Sequence, residues 1–307
     1  MKLCNPVQYY DECTQNWTIL NKFPAVPKNA VLPDSVVSVK GELYVSSTAG
    51  DSHNPAFVKL THPCANFPVG RWQVLPHIPT VRPCPHPLLH VNGNIYAIGG
   101  AEKGGLCEVF CINTNSWGSM APIPKPWKSS GSGQMMGEVY GEKIIMYNSM
   151  TMRNKEDRTP PTHFLQMYDP LKDEWAVLGS WQHPALYAGL VVEDGKCYRV
   201  VNADCKCEEE GCKWHGTSVQ ELIVDVANQS AVSGELQSQD RIPRQYGMRA
   251  FCISQALYVV SNDCRFHRID GVIGSDQLDL DAWNGLITLG DEFSSTVTLR
   301  FDKAKCL

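Results

Sequence analysis

His90-Val91-Asn92-Gly93-Asn94-Ile95-Tyr96-Ala97-Ile98-Gly99-Gly100 is two short apolar runs joined at a glycine and closed by a glycine pair. Each arm alternates apolar positions, Gly93 tolerates the positive φ of a tight turn, and a double glycine suits a place where backbone passes close to backbone. Together these features make a β-hairpin. Weaker copies come round on both sides of it: 37–45 (turning at Gly41, ending at Ala49-Gly50), 137–147 (Gly141), 190–200 (Asp194-Gly195) and 251–261 (near Ser254-Gln255). A unit met five times is a repeat architecture before it is anything else.

A second marker runs beside the hairpin: an apolar strand, a polar turn, then a tryptophan. It reads Tyr10-Asp11-Glu12-Cys13-Thr14-Gln15-Asn16-Trp17, then Cys111-Ile112-Asn113-Thr114-Asn115-Ser116-Trp117, then Tyr168-Asp169-Pro170-Leu171-Lys172-Asp173-Glu174-Trp175. The spacing predicts a tight hairpin whose far strand begins at the aromatic. Trp17 to Trp72 is 55 residues, Trp72 to Trp117 is 45, Trp117 to Trp175 is 58, and Trp175 to Trp283 is 108, two steps of 54. The step without a tryptophan falls near position 229, where Leu222 to Ser230 keeps the strand and the turn.

A period near 50 with four short strands per unit is that of kelch repeats. The order hairpin, Gly-Gly, Tyr-Asp-x-x-x-x-x-Trp, Met-x-Pro-x-Pro resembles the kelch motif. Residues 86–124 match it best, with Gly93, Tyr96, Gly99, Gly100, Trp117 and Met120-Ala121-Pro122-Ile123-Pro124 in its places. Elsewhere Asn148-Ser149, Asn202-Ala203 and Asn262-Asp263 stand where the glycine pair would be. The resemblance covers nearly the whole chain and is closest to the C-terminal kelch domain of the kelch-like (BTB-BACK-kelch) family, in a divergent form.

The fold so implied is all-β, a kelch-type β-propeller. A four-stranded blade has two apolar faces and buries neither alone, so blades stack radially and each covers the next. Trp17, Trp72, Trp117 and Trp175, with Tyr44, Tyr96, Tyr198 and Tyr258, are expected to fill the seams between blades. One domain spans 1–307, with blades near 30–76, 86–121, 132–180, 186–234 and 247–288. Residues 1–20 and 292–303 would close a six-bladed ring as one blade split between the termini, using the period-2 run Ser295-Thr296-Val297-Thr298-Leu299-Arg300-Phe301. The first unit lacks its glycine-pair strand, which reads as a chain beginning inside a longer protein.

Composition narrows the function classes. With 43% hydrophobic residues a large core is affordable, and a net charge of -5 argues against a nucleic-acid partner held by phosphate contacts. Thirteen cysteines, an odd number without a regular framework, fit reduced thiols in the cytoplasm. The first residues carry no apolar leader and no run reaches membrane-spanning length, so no membrane is expected and the sequons at Asn16 and Asn228 read as chance.

Chemistry concentrates in two places. Cys205, Cys207, Cys212 and His215 lie within eleven residues and would suit a closed structural zinc site, although Cys-x-Cys is not the common knuckle and no second pair follows. The bland alternative is a polar loop of reduced cysteines, and redox sensing at Cys205 or Cys207 beside Lys206 is a third. No other cofactor is expected. The loops before and after each hairpin emerge at one rim of a propeller, and they hold Arg82, His86, Lys125, Trp127, Lys128, Trp181, His183, Tyr187, Arg241, Arg244, Tyr246 and Arg249. Arginine and aromatic side chains are what binding surfaces enrich, and a basic rim on an acidic chain suits an acidic peptide segment or protein substrate. Taken singly, each of these side chains reads as a solvated surface group.

No Gly-x-Ser-x-Gly, His-Glu-x-x-His, Walker or dinucleotide motif is present, so no enzyme is expected. The Ser-x-Asp-x-Gly-x-Thr-Trp boxes of sialidase propellers are absent too. What the resemblance implies is a protein-recognition module, the substrate-binding propeller of a cullin-3 ubiquitin-ligase adaptor whose BTB and BACK domains would lie upstream. A kelch scaffold binding actin or another partner is the alternative. A copper-radical oxidase is the enzymatic one.

Overall fold

In the computed structural model, the described residues are 8–11, 16–19, 33–47, 56–61, 71–82, 86–100, 105–125, 134–149, 162–182, 187–204, 214–243, 249–253, 256–260 and 266–269. Local sequence chemistry sets the hairpins. Lys40-Gly41, Asn92-Gly93 and Asp194-Gly195 have positive φ at both central positions, the type I′ geometry that matches strand twist. At Gly141-Glu142 only the glycine does, which is type II′. The second kind of hairpin closes over four residues, and the last of them is left-handed: Asn115, Asp173 and Gln229 have φ of 53°, 53° and 49°. Carboxylates brace two of these turns, Asp169 Oδ1 accepting from Leu171 N at 3.1 Å and Asp225 Oδ1 from Asn228 N at 3.0 Å.

Twenty-one strands among the described residues form six sheets, each antiparallel between neighbours. A two-stranded sheet pairs β1 (Gln8–Asp11) with β2 (Asn16–Ile19). The first complete blade is β3 (Pro33–Val39), β4 (Glu42–Ser47), β5 (Phe57–Leu60) and β6 (Trp72–Val74). The second is β7 (Leu88–Val91), β8 (Asn94–Ile98), β9 (Cys107–Cys111) and β10 (Ser116–Ser119). The third is β11 (Gln134–Tyr140), β12 (Lys143–Ser149), β13 (Thr162–Asp169) and β14 (Glu174–Gln182). The fourth is β15 (Tyr187–Glu193), β16 (Lys196–Asp204), β17 (Trp214–Asp225) and β18 (Ser230–Pro243). A three-stranded sheet follows, β19 (Arg249–Ile253), β20 (Ala256–Val260) and β21 (Phe266–Ile269). Strand order within every blade is sequence order, and the first strands β3, β7, β11, β15 and β19 lie side by side in turn. That radial succession of meanders is a β-propeller.

The seams are the core. Successive residues of a strand point to opposite faces, so β8 sends Ile95 and Ala97 into the first seam, with Tyr44, Phe57, Ile78 and Phe110. Tyr96 and Ile98 go into the second, with Met120, Ile144, Met146 and Tyr168. β12 repeats the division, its Ile145 and Tyr147 entering the third seam with Leu165, Leu190 and Leu222. Tyr44, Tyr96 and Tyr198, each third in its blade's second strand, are buried, and Trp72, Trp117 and Trp175 are partly buried against the clusters. Trp17 lies in β2 opposite Tyr10, and Tyr258 in β20 opposite Phe251. The missing tryptophan is Ala231, which faces Val224 as Trp117 faces Phe110 and Trp175 faces Tyr168.

Four blades are thus complete among the described residues. The outer strand sought before position 288, the closing strand at 295–301 and the six-blade closure built on it lie outside them. Among the described residues no helix is long and apolar enough to cross a membrane.

Candidate functional site

The strand order puts the tight turns at one end of the propeller and the longer connections at the other. At this second end, the rim, a connection joins the second strand of a blade to its third, and a linker leads from the fourth strand to the next blade.

The linkers are fastened from inside. Leu75 and Ile78 bury the start of the 75–82 linker, and its end is held by Glu108 of β9. Glu108 Oε2 lies 2.5 Å from Arg82 Nη2, and Oε1 accepts from Thr80 Oγ1 at 2.6 Å. Arg82 also donates to the carbonyls of Ala97 (3.2 Å), Leu106 (3.5 Å) and Gly99. Gly99 and Gly100 both have φ of 76°, and a Cβ on Gly99 would sit 2.7 Å from Met135 Sδ. The glycine pair thus leaves room for the next blade and turns a carbonyl to the guanidinium.

The following linker repeats the arrangement with a neutral side chain. Gln166 of β13, fully buried, accepts from Lys125 N at 2.9 Å and donates to Lys125 O at 3.1 Å. Glu108, Gln166 and Gln220 occupy one repeat position, each opposite the fourth residue of its blade's second strand: Ala97, Met146 and Arg199. Gln220 Oε1 accepts from Arg199 Nε at 3.0 Å and Nη2 at 2.5 Å, and its Nε2 donates to Gly234 O at 2.9 Å. These three residues escaped the sequence reading. The signal was a polar side chain at an inward position of a third strand, in Glu108-Val109-Phe110, Gln166-Met167-Tyr168 and Gln220-Glu221-Leu222.

Several side chains expected on the rim surface belong to its interior. Arg82 is 0% exposed, and His86 is 2% exposed with Nε2 3.3 Å from Ser46 Oγ. Both are drawn in because the linker must enter the seam to start the next blade. Trp181 is half-buried in the third seam, with Arg199 stacked 5.3 Å from its ring centre and His163 opposite it on β13. Lys125 is exposed, its Nζ 5.9 Å from the Phe164 ring. Tyr187 and Arg249 begin the innermost strands of adjacent sheets, and Arg241 lies near the end of β18, so the backbone gathers these three at the rim. Trp127, Lys128, His183, Arg244 and Tyr246 lie outside the described residues.

Cys205, Cys207 and Cys212 also lie outside them, and His215 is placed by its backbone between Asp204 and Ile242. Among the described residues no three His, Cys, Asp or Glu side chains are grouped to hold a metal. At the turn end, a cavity of about 350 Å³ opens between the second and third blades, walled by Tyr96, Cys111, Trp117, Tyr168 and Asp173. Tyr168 Oη donates to Asp173 Oδ1 at 2.7 Å; burial, then this carboxylate, push the phenol well above its ordinary range.

No family model matches the chain. F-box protein AFR of Arabidopsis thaliana is 29% identical over 116 residues, 36% of this chain and 29% of that protein. Kelch-like protein 30 of Homo sapiens is 27% identical over 116 residues, 36% of this chain and 20% of that protein. The chain therefore spans less than a third of the length of either relative. The solved structure described as "Structure of YjhT" superposes with a TM-score of 0.50 at 16% identity, over 78% of this chain and 73% of that one, a likeness of fold alone. Blade geometry and these likenesses together make the chain a kelch-type β-propeller.

Proposed function

We propose that the chain is a protein-recognition propeller whose rim takes an acidic peptide segment of a protein partner, and that it serves as the substrate-recognition part of a cullin-3 ubiquitin-ligase adaptor. One observation carries the reading: linkers pinned by buried Glu108 and Gln166 make a rigid rim, while Lys125 and the backbone of Tyr187, Arg241 and Arg249 bring basic and aromatic residues to that same end. Rigid presentation lowers the ordering cost of binding, and arginine is the side chain that best grips a carboxylate. The names of the two curated relatives, one F-box and one kelch-like, support a propeller joined to other domains in a longer protein.

Replacing Arg241, Arg244 and Arg249 together with alanine is expected to abolish capture of an acidic partner while thermal unfolding stays nearly unchanged. Survival of capture would refute the basic rim. Co-precipitation of cullin-3 with the full-length protein tests the ligase role separately: its absence, with capture intact, would favour a scaffold.

A further inference from the structure

Among the described residues, the third seam buries a positive charge with no carboxylate against it. Arg199, fourth in β16, points into that seam as Cys197 does two residues earlier, and is 5% exposed. Its partners are neutral. One edge of the guanidinium closes on Gln220, with Nε 3.0 Å and Nη2 2.5 Å from Oε1. The Trp181 ring centre lies 5.3 Å from Cζ. Tyr147, stacked on His163 with ring centres 5.7 Å apart, turns its hydroxyl to the guanidinium, which draws part of the phenol's raised pKa back down. Nη1 is buried and has no hydrogen-bond partner. Glu138, the acid whose charge reaches Cys197, is not among the partners of Arg199.

The second blade shows what this position calls for. Gln220 and Glu108 stand at one repeat position, opposite Arg199 and Ala97. In the first seam the guanidinium of Arg82 comes in from the linker and meets Glu108 Oε2 at 2.5 Å. In the third seam a guanidinium again fills the space beside that third-strand residue, arriving this time from the second strand, and it meets an amide. An amide oxygen can chelate a guanidinium but cannot cancel its charge. A buried ion needs a partner of opposite sign.

We propose that the rim end of the third seam is a binding site for one carboxylate, which enters past the half-buried Trp181 and is held by Arg199 Nη1 with the Tyr147 hydroxyl donating beside it. A carboxylate suits the site better than a phosphate. Its single charge matches one guanidinium, and Arg82 with Glu108 is the same pairing at the same place in the repeat, whereas a phosphate near two negative charges would leave an excess among neutral neighbours. Free carboxylic acids and the Asp or Glu side chain of a protein partner share this chemistry. Nothing in the site depends on Arg241, Arg244 or Arg249, so it stands or falls apart from the basic rim.

The test heats the whole chain in sodium acetate and in sodium chloride at equal ionic strength and neutral pH. Acetate is expected to raise the unfolding midpoint by about 2 °C or more over chloride. Arg199→Met should lose that rise, and so should Gln220→Glu, which sets an internal carboxylate where Glu108 stands in the second blade, whatever its own midpoint. Should Arg199→Met fail to fold, Gln220→Glu decides. Lys196→Met, three residues away on the same strand and exposed, should keep the rise. N-acetylglutamate amide distinguishes the sources: a rise equal to that in acetate supports a protein side chain as the ligand, a rise in acetate alone a small free acid. Equal midpoints in acetate and chloride, as water or an adventitious ion only would give, would overturn the site. So would a rise that survives Gln220→Glu or is lost in Lys196→Met.

Discussion

Arg82, on the linker leaving the first complete blade, meets Glu108 of the second with 2.5 Å between Nη2 and Oε2, the side chains 0% and 9% exposed. Neither charge has water to fall back on. Removing one partner of such a pair strands the other, at about 3–5 kcal/mol, whereas replacing both by apolar groups is often neutral. Arg82→Met is therefore expected to lower unfolding stability steeply, and Arg82→Met with Glu108→Leu to recover much of the loss. Urea denaturation of the single and double variants checks this.

Trp175→Phe keeps most of the ring packing and deletes the Nε1 bond to Ala121 O. A part-buried hydrogen bond of this kind is worth about 1 kcal/mol net. Trp117→Phe, which loses the more exposed bond to Pro76 O, should cost less. Parallel denaturant curves with unchanged slope would confirm that both act on stability alone.

The cysteines of the second and fourth blades should separate by reactivity. Burial pushes the Cys107 thiol up to about 11 and that of Cys197 up to about 12, while hydrogen bonding from Thr114 lowers the pKa of the half-exposed Cys111. The thiolate is the reacting form. Of the three cysteines described there, iodoacetamide at neutral pH is expected to label Cys111 ahead of Cys107 and Cys197, which react only on unfolding. Peptide mass mapping over time reads the order.

Asp169 gives a pH-dependent contribution. Its carboxylate lies 2.6 Å from Lys143 Nζ, and this bond, aided by Leu171 N, holds it below the usual carboxylate range. A depressed folded value means the stabilisation is complete above the unfolded pKa, about 3.9, and is lost as pH falls through the folded one. Lys143→Met should flatten the stability profile in that acid window and leave the slope near neutrality alone, as urea titrations at stepped pH would show.

The hairpins were legible because their turns announce themselves: Lys40-Gly41, Asn92-Gly93 and Asp194-Gly195 all adopt the positive φ that a glycine at the second place favours. The tryptophan ladder was legible for a similar reason, each tryptophan standing in strand register opposite the residue that opens its turn motif or one beside it. Arg82 and His86 were not, since a charge in a Pro-rich connection reads as solvated, and only the path of the linker shows that it dives into a seam. Trp181 reads as a rim aromatic, whereas it packs against the third-seam cluster with Arg199 5.3 Å from its ring centre.

Gly179 and Ala231 show how far one blade's spelling depends on the next. An added Cβ on Gly179 would come within 2.9 Å of the Ala231 carbonyl, and Gly179 stands four residues after Trp175, where the carbonyl that accepts from the next blade's tryptophan sits in the two earlier seams. Here main chain meets main chain, and no gap is left for an indole. Restoring tryptophan at 231 would wedge the seam open, so the departure from the motif is locked in by its neighbour. Consensus design on this scaffold must therefore exchange seams whole, both flanks at once, because a module copied alone carries only half of each joint it makes.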